Sequence, residues 1–387
     1  MMTGLAVVVV ILTLIPAINT LINFFLLKTP ALPLAPPSVA ILIPARDEEA
    51  AIGPCIEAAL ASVGADIEVI VLDDGSTDNT FAIVEARAAT DARLRVVTAP
   101  KPPPGFSGKS HACHVLSTLT DRPFLLFVDA DVRLAPEAAA RLVPPAGMDL
   151  VSGVPRQHVR GLIETAAVPM INSLIFGYLP IHFMRQMPFN TALVAACGQM
   201  LMVRASSYRA CGGHGAIAHK LHDALQLARL FRRKGYKTDL IDGTRLATCR
   251  MYETPRAVWQ GFSKNATEGM ARPVALPIWT VLLVGGHLLP AVFAALILGH
   301  AAVSHTLPSG LATLILATLA LLVFARGLQA IKCSEPPRSI LIHPLGVILT
   351  LCIQWSALYT HARGREVSWR GRAYAPSLFS TKADKDP

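Results

Sequence analysis

The chain has 387 residues, 52% of them apolar and 16% charged, with a formal net charge of +9. So low a charged fraction speaks against a wholly soluble chain and for a globular domain, 38–272, enclosed by membrane segments, and the basic excess flanks apolar segments, which suits a membrane protein's cytoplasmic face. No basic run interleaved with aromatics and no nucleic-acid motif occurs, so nucleic acid is not expected as a partner.

Residues 1–27 carry no charged side chain. The apolar stretch 5–27 can cross a hydrocarbon core about 30 Å thick at about 1.5 Å per residue. No Lys or Arg precedes Lys28, so the positive n-region of a cleaved signal peptide is missing. A retained anchor over 1–28 is expected, bent at Pro16, with its N-terminus outside and Lys28 inside. The Pro-rich stretch 30–37 reads as a stiff linker.

From 38 to 272 strand-like and helical runs alternate. Strands are expected at Val39–Ile43, Glu68–Leu72, Leu94–Thr98 and Phe124–Val128. Helices are expected near Glu49–Val63, from Asp78 to Thr90 and through Ser110–Leu119. Such alternation is a βαβ pattern, hence an α/β domain with a mostly parallel sheet. The apolar run 162–184 reads equally as a helix lying in the membrane interface or as a buried core helix.

Residues 273–362 form a second apolar region. Two spans fit within 273–325, with a turn from His300 to Gly310 placed outside by its lack of Lys and Arg. A third apolar segment, 340–361, has basic residues on both flanks. One span cannot place both inside, so the expectation is either a re-entrant or interfacial segment broken near Pro344-Leu-Gly346, which is preferred, or a tail outside against the charge rule. A basic tail, 363–387, follows. The seven cysteines are scattered without CxxC spacing, which suits reduced thiols.

Acidic residues stand at two strand tips. Ligands of a parallel sheet sit beyond the carboxyl ends of its strands. Asp129-Ala-Asp131 can turn two carboxylates toward one hard cation, Mg2+ or Mn2+, and such a cation takes its other ligands from phosphate. In Asp73-Asp74-Gly-Ser-Thr-Asp78, a strand-tip Asp can accept the N3–H of uracil, while Asp78 caps the next helix. Pro44-Ala-Arg46-Asp47-Glu48-Glu49 closes the first strand, borders base and ribose, and sets Arg46 near a diphosphate. Gly105-Phe-Ser-Gly-Lys109 lacks P-loop spacing and reads as a loop bringing Lys109 to the phosphates. Asp223 opens an amphipathic helix, either as its cap or as a general base.

The order PARDEE, LDDGSTD, GK, DAD, a Gly-rich loop and an Asp before a helix resembles the inverting family 2 glycosyltransferases of GT-A fold, over residues 38–272. The resemblance implies that Asp73 and Asp74 contact uridine, that Asp129 and Asp131 hold a metal–diphosphate with Asp131 the firmer ligand, and that Asp223 is the base. His222 stands where the family usually has Glu. Val258-Trp259-Gln260 replaces the QxxRW of processive synthases, which speaks against polymer extrusion. Arg250-Met-Tyr, Gly-Phe-Ser-Lys-Asn and Val367-Ser-Trp369 resemble the subgroup that glucosylates carotenoids and other terpenoid lipids, and are similar to hopanoid-associated and ceramide-type transferases. The implied reaction moves a hexose, glucose in that subgroup, from a UDP-sugar to a hydroxyl or carboxyl of an apolar membrane lipid. The implied place is the cytoplasmic face of a bacterial inner membrane, in a multi-pass protein. A polyprenyl-phosphate or polysaccharide transferase, and a non-enzymatic membrane component, are the alternatives.

Overall fold

The computed structural model describes residues 2–305, 310–363, 367–369 and 372–374. It divides into two units, each built from separated pieces of chain. One is organised around a sheet and comprises Lys28–Arg156, Met184–Met251 and the described residues from Thr360. The other is helical and comprises Met1–Leu27, Gln157–Phe183 and Tyr252–Tyr359.

The sheet unit is built on strands whose successive side chains point to two faces, both of them covered. Its strands are β1 (Ser38–Ala45), β2 (Asp66–Asp73), β3 (Leu94–Thr98), β4 (Phe124–Val128), β5 (Val132–Leu134), β6 (Leu150–Gln157), β7 (Met200–Arg204) and β8 (Thr238–Cys249). On one face Val39, Ile41, Ile43, Val69 and Val71 pack with Ile52, Cys55, Ile56 and Val84, which belong to the helices Ile52–Leu60 and Thr80–Ala88. On the other face Ala40, Leu42, Ile70 and Leu72 meet Cys113 and Leu116 of the helix Gly108–Thr118, and Leu227 and Phe231 of the helix Asp223–Arg233. A strand covered on both sides must be apolar throughout, which is why β1 and β2 read as continuous hydrophobic runs. Each fully buried Ile, Leu or Val contributes about 1.5–3 kcal/mol.

The strand order is β3-β2-β1-β4-β7-β6-β8-β5. β3, β2, β1 and β4 run parallel, with Ala45 beside Asp73 and Asp73 beside Thr98. β7 runs antiparallel to both β4 and β6, and β5 antiparallel to β8. The register has two consequences. Val128 pairs with Met200, so Gly198 and Gln199 arrive beside Asp129. Val132 pairs with Cys249, so that thiol arrives beside Asp131.

In the helical unit four helices are long and apolar enough to cross a membrane: Gly4–Leu26, Ala275–Ser304, Leu311–Lys332 and His343–Ala362. The first is continuous from Met2 to Leu26 with Pro16 inside it. Part of the turn expected between the second and third, including Pro308, lies outside the described residues. The segment 340–361 is interrupted beside Pro344: a short helix, Arg338–Leu341, ends at Ile342, and the helix His343–Ala362 starts there. Pro344 falls in its first turn, where no N–H is required. Beyond it, Val367–Trp369 pairs with Arg372–Tyr374 as an antiparallel hairpin.

The run 162–184 is three short helices, Leu162–Ala167, Met170–Tyr178 and Ile181–Gln186. Met170–Tyr178 ends inside the apolar unit, so its last carbonyls need donors. Asn23 Nδ2 donates to Leu179 O at 2.7 Å and Phe176 O at 2.9 Å, and Asn19 Nδ2 donates to both at 3.1 Å. Asn23→Leu is therefore expected to lower stability by about 1–3 kcal/mol. Thermal unfolding in detergent checks this, and an unchanged midpoint would refute the role given to the amide.

Candidate active site

The site lies in the sheet unit and begins where β1 and β2 end. Asp74 N donates to Ala45 O at 2.8 Å, and Ala99 N to Asp73 O at 2.8 Å, so the strand tips are locked in register. The two following loops are zipped together. Arg46 Nη1 donates to Asp74 O at 2.9 Å, Glu48 N to Thr80 Oγ1 at 2.8 Å, Glu49 N to Asp78 Oδ2 at 3.0 Å and Thr77 N to Asp47 Oδ1 at 2.8 Å. Asp47 and Gly75 both adopt left-handed backbone, φ 51° and 71°. At Gly75 that conformation is free of cost, and a methyl there would meet nothing within 4 Å, so the backbone stays open to a ligand.

Asp73 and Asp74 are buried, at 5% and 8% exposure. Asp73 Oδ2 accepts from Ser76 N at 3.2 Å. Its Oδ1 is buried and meets no donor among the described residues. A buried acceptor without a donor is costly unless a ligand supplies one.

The next loop brings three charged groups together. Lys109, on the first turn of Gly108–Thr118, sets Nζ 2.7 Å from Asp129 Oδ1 and 3.1 Å from Asp223 Oδ2. The three side chains are 32%, 29% and 13% exposed, so the cluster is reachable. Ser107 caps that helix by accepting from Ser110 N. Asp223 is the first residue of its helix, and His222 is the N-cap position, whose side chain makes no capping bond to the helix. Its carboxylate therefore goes to Lys109 and does not serve as the cap. Burial alone would raise Asp223, but Lys109, then His214 and His222, outweigh it and hold the carboxyl well below the usual range. Burial opposes the Lys109 charge; Asp129 and Asp223 overcome that and hold its ammonium well above the usual range.

A small cleft opens here, lined by Pro44, Lys109, Phe127, Asp129, His214 and Asp223 among others. Gly198 is part of its wall. A methyl on Gly198 would lie 3.2 Å from Asp223 Oδ1 and 3.3 Å from Lys109 Nζ, so only glycine leaves the ion pair its room.

Asp131 stands on the other side of Asp129. Burial, then the Asp129 charge, pushes its carboxyl up to about 7, while the Cys249 thiol donates to it. Gln199 Nε2 donates to that sulfur at 2.8 Å. Glu48 adds negative charge at Asp131. Asp131 Oδ1 is buried and meets no donor among the described residues.

Residues 40–212 match the family model described as Glycosyl transferase family 2. That match takes in the parallel strands and both acidic strand tips, and it is over this segment that the chain is similar to the family. Among its relatives is a 4,4'-diaponeurosporenoate glycosyltransferase of Staphylococcus haemolyticus (strain JCSC1435), 26% identical over 249 residues, or 60% of this chain and 62% of that one. The Staphylococcus aureus (strain N315) protein of the same name is 26% identical over 255 residues, 63% and 64% of the two chains. The alignments thus span less than two thirds of these relatives' length. Among solved structures, the mannosyltransferase PcManGT from Pyrobaculum calidifontis, in complex with GDP-Man and Mn2+, superposes with a TM-score of 0.51 at 16% identity, covering 89% of this chain and 99% of that one. At that identity the likeness speaks for the fold alone, a GT-A sheet with flanking helices.

The site's residues fit a divalent cation. Asp129 and Asp131 offer hard oxygens, and Asp131 Oδ1 is buried without a donor. Among the described residues no cluster of three or more His, Cys, Asp or Glu is arranged to hold a metal. Two carboxylates plus phosphate oxygens are a usual set for Mg2+.

Four members of the site escaped sequence reasoning: Gly198, Gln199, His214 and Cys249. His214 is 2% exposed, with Nδ1 2.8 Å from the Tyr208 hydroxyl and its ring edge-on to Phe127 at 4.9 Å. Burial lowers its pKa from 6.5 to about 4; of the charges that face it, Asp223 raises it, and Lys109 and His114 lower it. The unfolded chain therefore takes up a proton near pH 6.5 that the folded one refuses until about pH 4. This contribution to stability is present above pH 6.5 and is lost as pH falls toward 4, by about 3 kcal/mol for a shift of that size. His214→Gln should flatten the pH dependence of unfolding in that window. Parallel curves for variant and parent would show that the imidazole is not the group concerned.

Proposed function

We propose that the chain is an inverting glycosyltransferase that moves a hexose, glucose as the leading candidate, from a UDP-sugar to a hydroxyl or carboxyl of an apolar lipid. The observation that carries this reading is the meeting of Asp129, from a strand tip, and Asp223, from a helix start, on one Lys109 ammonium in an open cleft. Four apolar helices of membrane-spanning length favour an acceptor that stays in the bilayer. The name of the staphylococcal relatives, a carotenoid carboxylate's glycosyltransferase, points to the same acceptor class.

The unmatched Asp73 Oδ1 suits the N3–H of uracil, and the open backbone at Gly75 suits close approach of the base. Arg46 holds the two loops at a fixed separation through Asp74 O. Pro44 and Glu48 border the donor, the latter beside the acidic pair. Asp129 and Asp131 would hold Mg2+ or Mn2+, which supplies positive charge to a departing diphosphate. Lys109 is shared between two carboxylates, and a diphosphate competes for it. Once drawn toward phosphate, it releases Asp223 to take the proton of a hydroxyl acceptor, whereas a carboxyl acceptor arrives already ionised and needs no base, while the acceptor oxygen attacks the anomeric carbon. The sugar–phosphate bond breaks in the same displacement, so an α-linked donor gives a β-glycoside. Cell-membrane residence as a multi-pass inner-membrane protein, with the sheet unit in the cytoplasm, follows the distribution of Lys and Arg around the apolar segments.

Incubating membranes that hold the protein with labelled UDP-glucose, then extracting and identifying the lipids, tests the reading. Label on an apolar carboxylic or hydroxylated lipid is expected. Label on a polyprenyl phosphate or a glycan would overturn the acceptor class, and no incorporation from any UDP-hexose would overturn the donor.

A further inference from the structure

Arg326 lies on Leu311–Lys332, six residues from the helix end. At about 1.5 Å per residue, its Cα sits about 9 Å inside that end. In a membrane a helix of 22 residues, about 33 Å long, puts that Cα within the hydrocarbon, and the guanidinium reaches back to the headgroup side, where it meets Glu335 and Ser339 beyond the helix end. The side chain is 5% exposed. Its Nη2 pairs with Glu335 Oε2 at 2.6 Å and donates to Ser339 Oγ at 3.1 Å. Nε and Nη1 are buried and meet no acceptor among the described residues.

Glu335 is the opposite case. Asn172 Nδ2 donates to it at 2.8 Å and Gln329 Nε2 at 3.3 Å, in addition to Arg326. The carboxylate is saturated and the guanidinium is not. A purely structural pair favours the two-pronged grip of the planar fork. Here a single nitrogen makes the pair.

What lies around Arg326 does not supply the missing acceptor. His287 and His343 are near enough to feel its charge. They are engaged in a chain whose direction is fixed at one end. The Tyr178 hydroxyl donates to Leu282 O at 3.2 Å, so its oxygen accepts from His287 Nε2 at 3.0 Å. His287 Nδ1 then accepts from His343 Nε2, also at 3.0 Å. The adjoining stretch 326–338 carries Arg326, Lys332 and Arg338 against Glu335 alone. Cationic donors without acceptors, inside an apolar unit with surplus positive charge, call for an oxyanion.

We propose that Arg326 anchors a binding site, within the helical unit, for the phosphodiester of an anionic membrane lipid. The site stands apart from the sugar-transfer reading. A lipid is favoured over free phosphate because the guanidinium lies at headgroup depth on an apolar helix, where acyl chains add contact that inorganic phosphate lacks.

The test uses the full chain in detergent micelles, titrated with phosphatidylglycerol, phosphatidylcholine or inorganic phosphate and read by native mass spectrometry. One phosphatidylglycerol per chain is expected, preferred by about tenfold or more over phosphatidylcholine, whose identical phosphodiester brings its own trimethylammonium charge up to the guanidinium. Arg326→Gln should remove that preference. Glu335→Gln, which deletes the competing carboxylate and keeps the donors, should tighten phosphatidylglycerol binding. Absence of the preference in the parent protein overturns the proposal, as does its survival in Arg326→Gln. If Arg326→Gln does not fold, Glu335→Gln decides: binding that is unchanged or weaker overturns the site. Displacement of the lipid by equimolar inorganic phosphate overturns the lipid as its occupant.

Discussion

Asp223→Asn is expected to lower the turnover of sugar transfer by roughly 100- to 10,000-fold, the range for removal of a general base. The substitution keeps the side chain's shape and one acceptor oxygen. Lys109 keeps Asp129 at 2.7 Å, so the cleft retains an anchored ammonium. Asp223 opens its helix without capping it, so helix stability changes little. Donor affinity should therefore stay within a few-fold of the parent, and the loss should appear in kcat and not in KM for the UDP-sugar. Initial rates with labelled donor, set beside calorimetric donor binding, separate the two. A variant with near-parental kcat would remove Asp223 from the proton transfer. A variant that loses donor binding instead would reassign it to the nucleotide site.

Parallel strands and their acidic tips were legible because both signals are local. β1 and β2 are covered on two faces, so nearly every position is apolar, and the Asp pairs follow directly. The antiparallel half gives no such signal. β6 holds Gly153 and Pro155, and β8 holds Asp242, Gly243 and Arg245. Their glycines exist for close contact: a methyl on Gly153 would lie 2.8 Å from Ile241 Cδ1 and 3.1 Å from the Gly243 backbone. Sequence pattern reads that as loop, whereas the structure uses it to let two strands touch. The Lys109–Asp223 pair was illegible for a different reason. Each residue carried a plausible separate role, and 114 positions of chain divide them. Cys249 and Gln199 escaped because a lone thiol and a lone amide carry no motif; only the β5–β8 and β4–β7 registers bring them to the acidic pair. The interruption expected near Pro344 lies at Ile342, where Arg338–Leu341 gives way to His343–Ala362 and the proline falls in the new helix's first turn.

Asp131→Asn is expected to do two opposite things. Sugar transfer should fall by roughly 1,000-fold or more, on the scale of losing a principal electrostatic stabiliser of a leaving group. Thermal stability in the presence of a chelator should rise. The carboxyl is pushed up to about 7 by burial and by the adjacent Asp129, so the folded, metal-free protein holds a proton that the unfolded chain has already released. Between pH 4 and 7 the folded state binds more protons, and its stability falls as pH rises through that window. Above pH 7 the buried carboxylate is charged, close to Asp129, with Oδ1 facing no donor among the described residues. Asn removes the charge and keeps an acceptor for the Cys249 thiol. The gain should be near zero at pH 4 and reach about 1–4 kcal/mol at pH 8, the size of a shift of that order. Melting curves with and without chelator, at both pH values, check this, and added Mn2+ should stabilise the parent but not the variant. Equal melting points at pH 8 would mean that Asp131 is relaxed in the metal-free protein, and an active variant would mean that the acidic pair does not hold the donor.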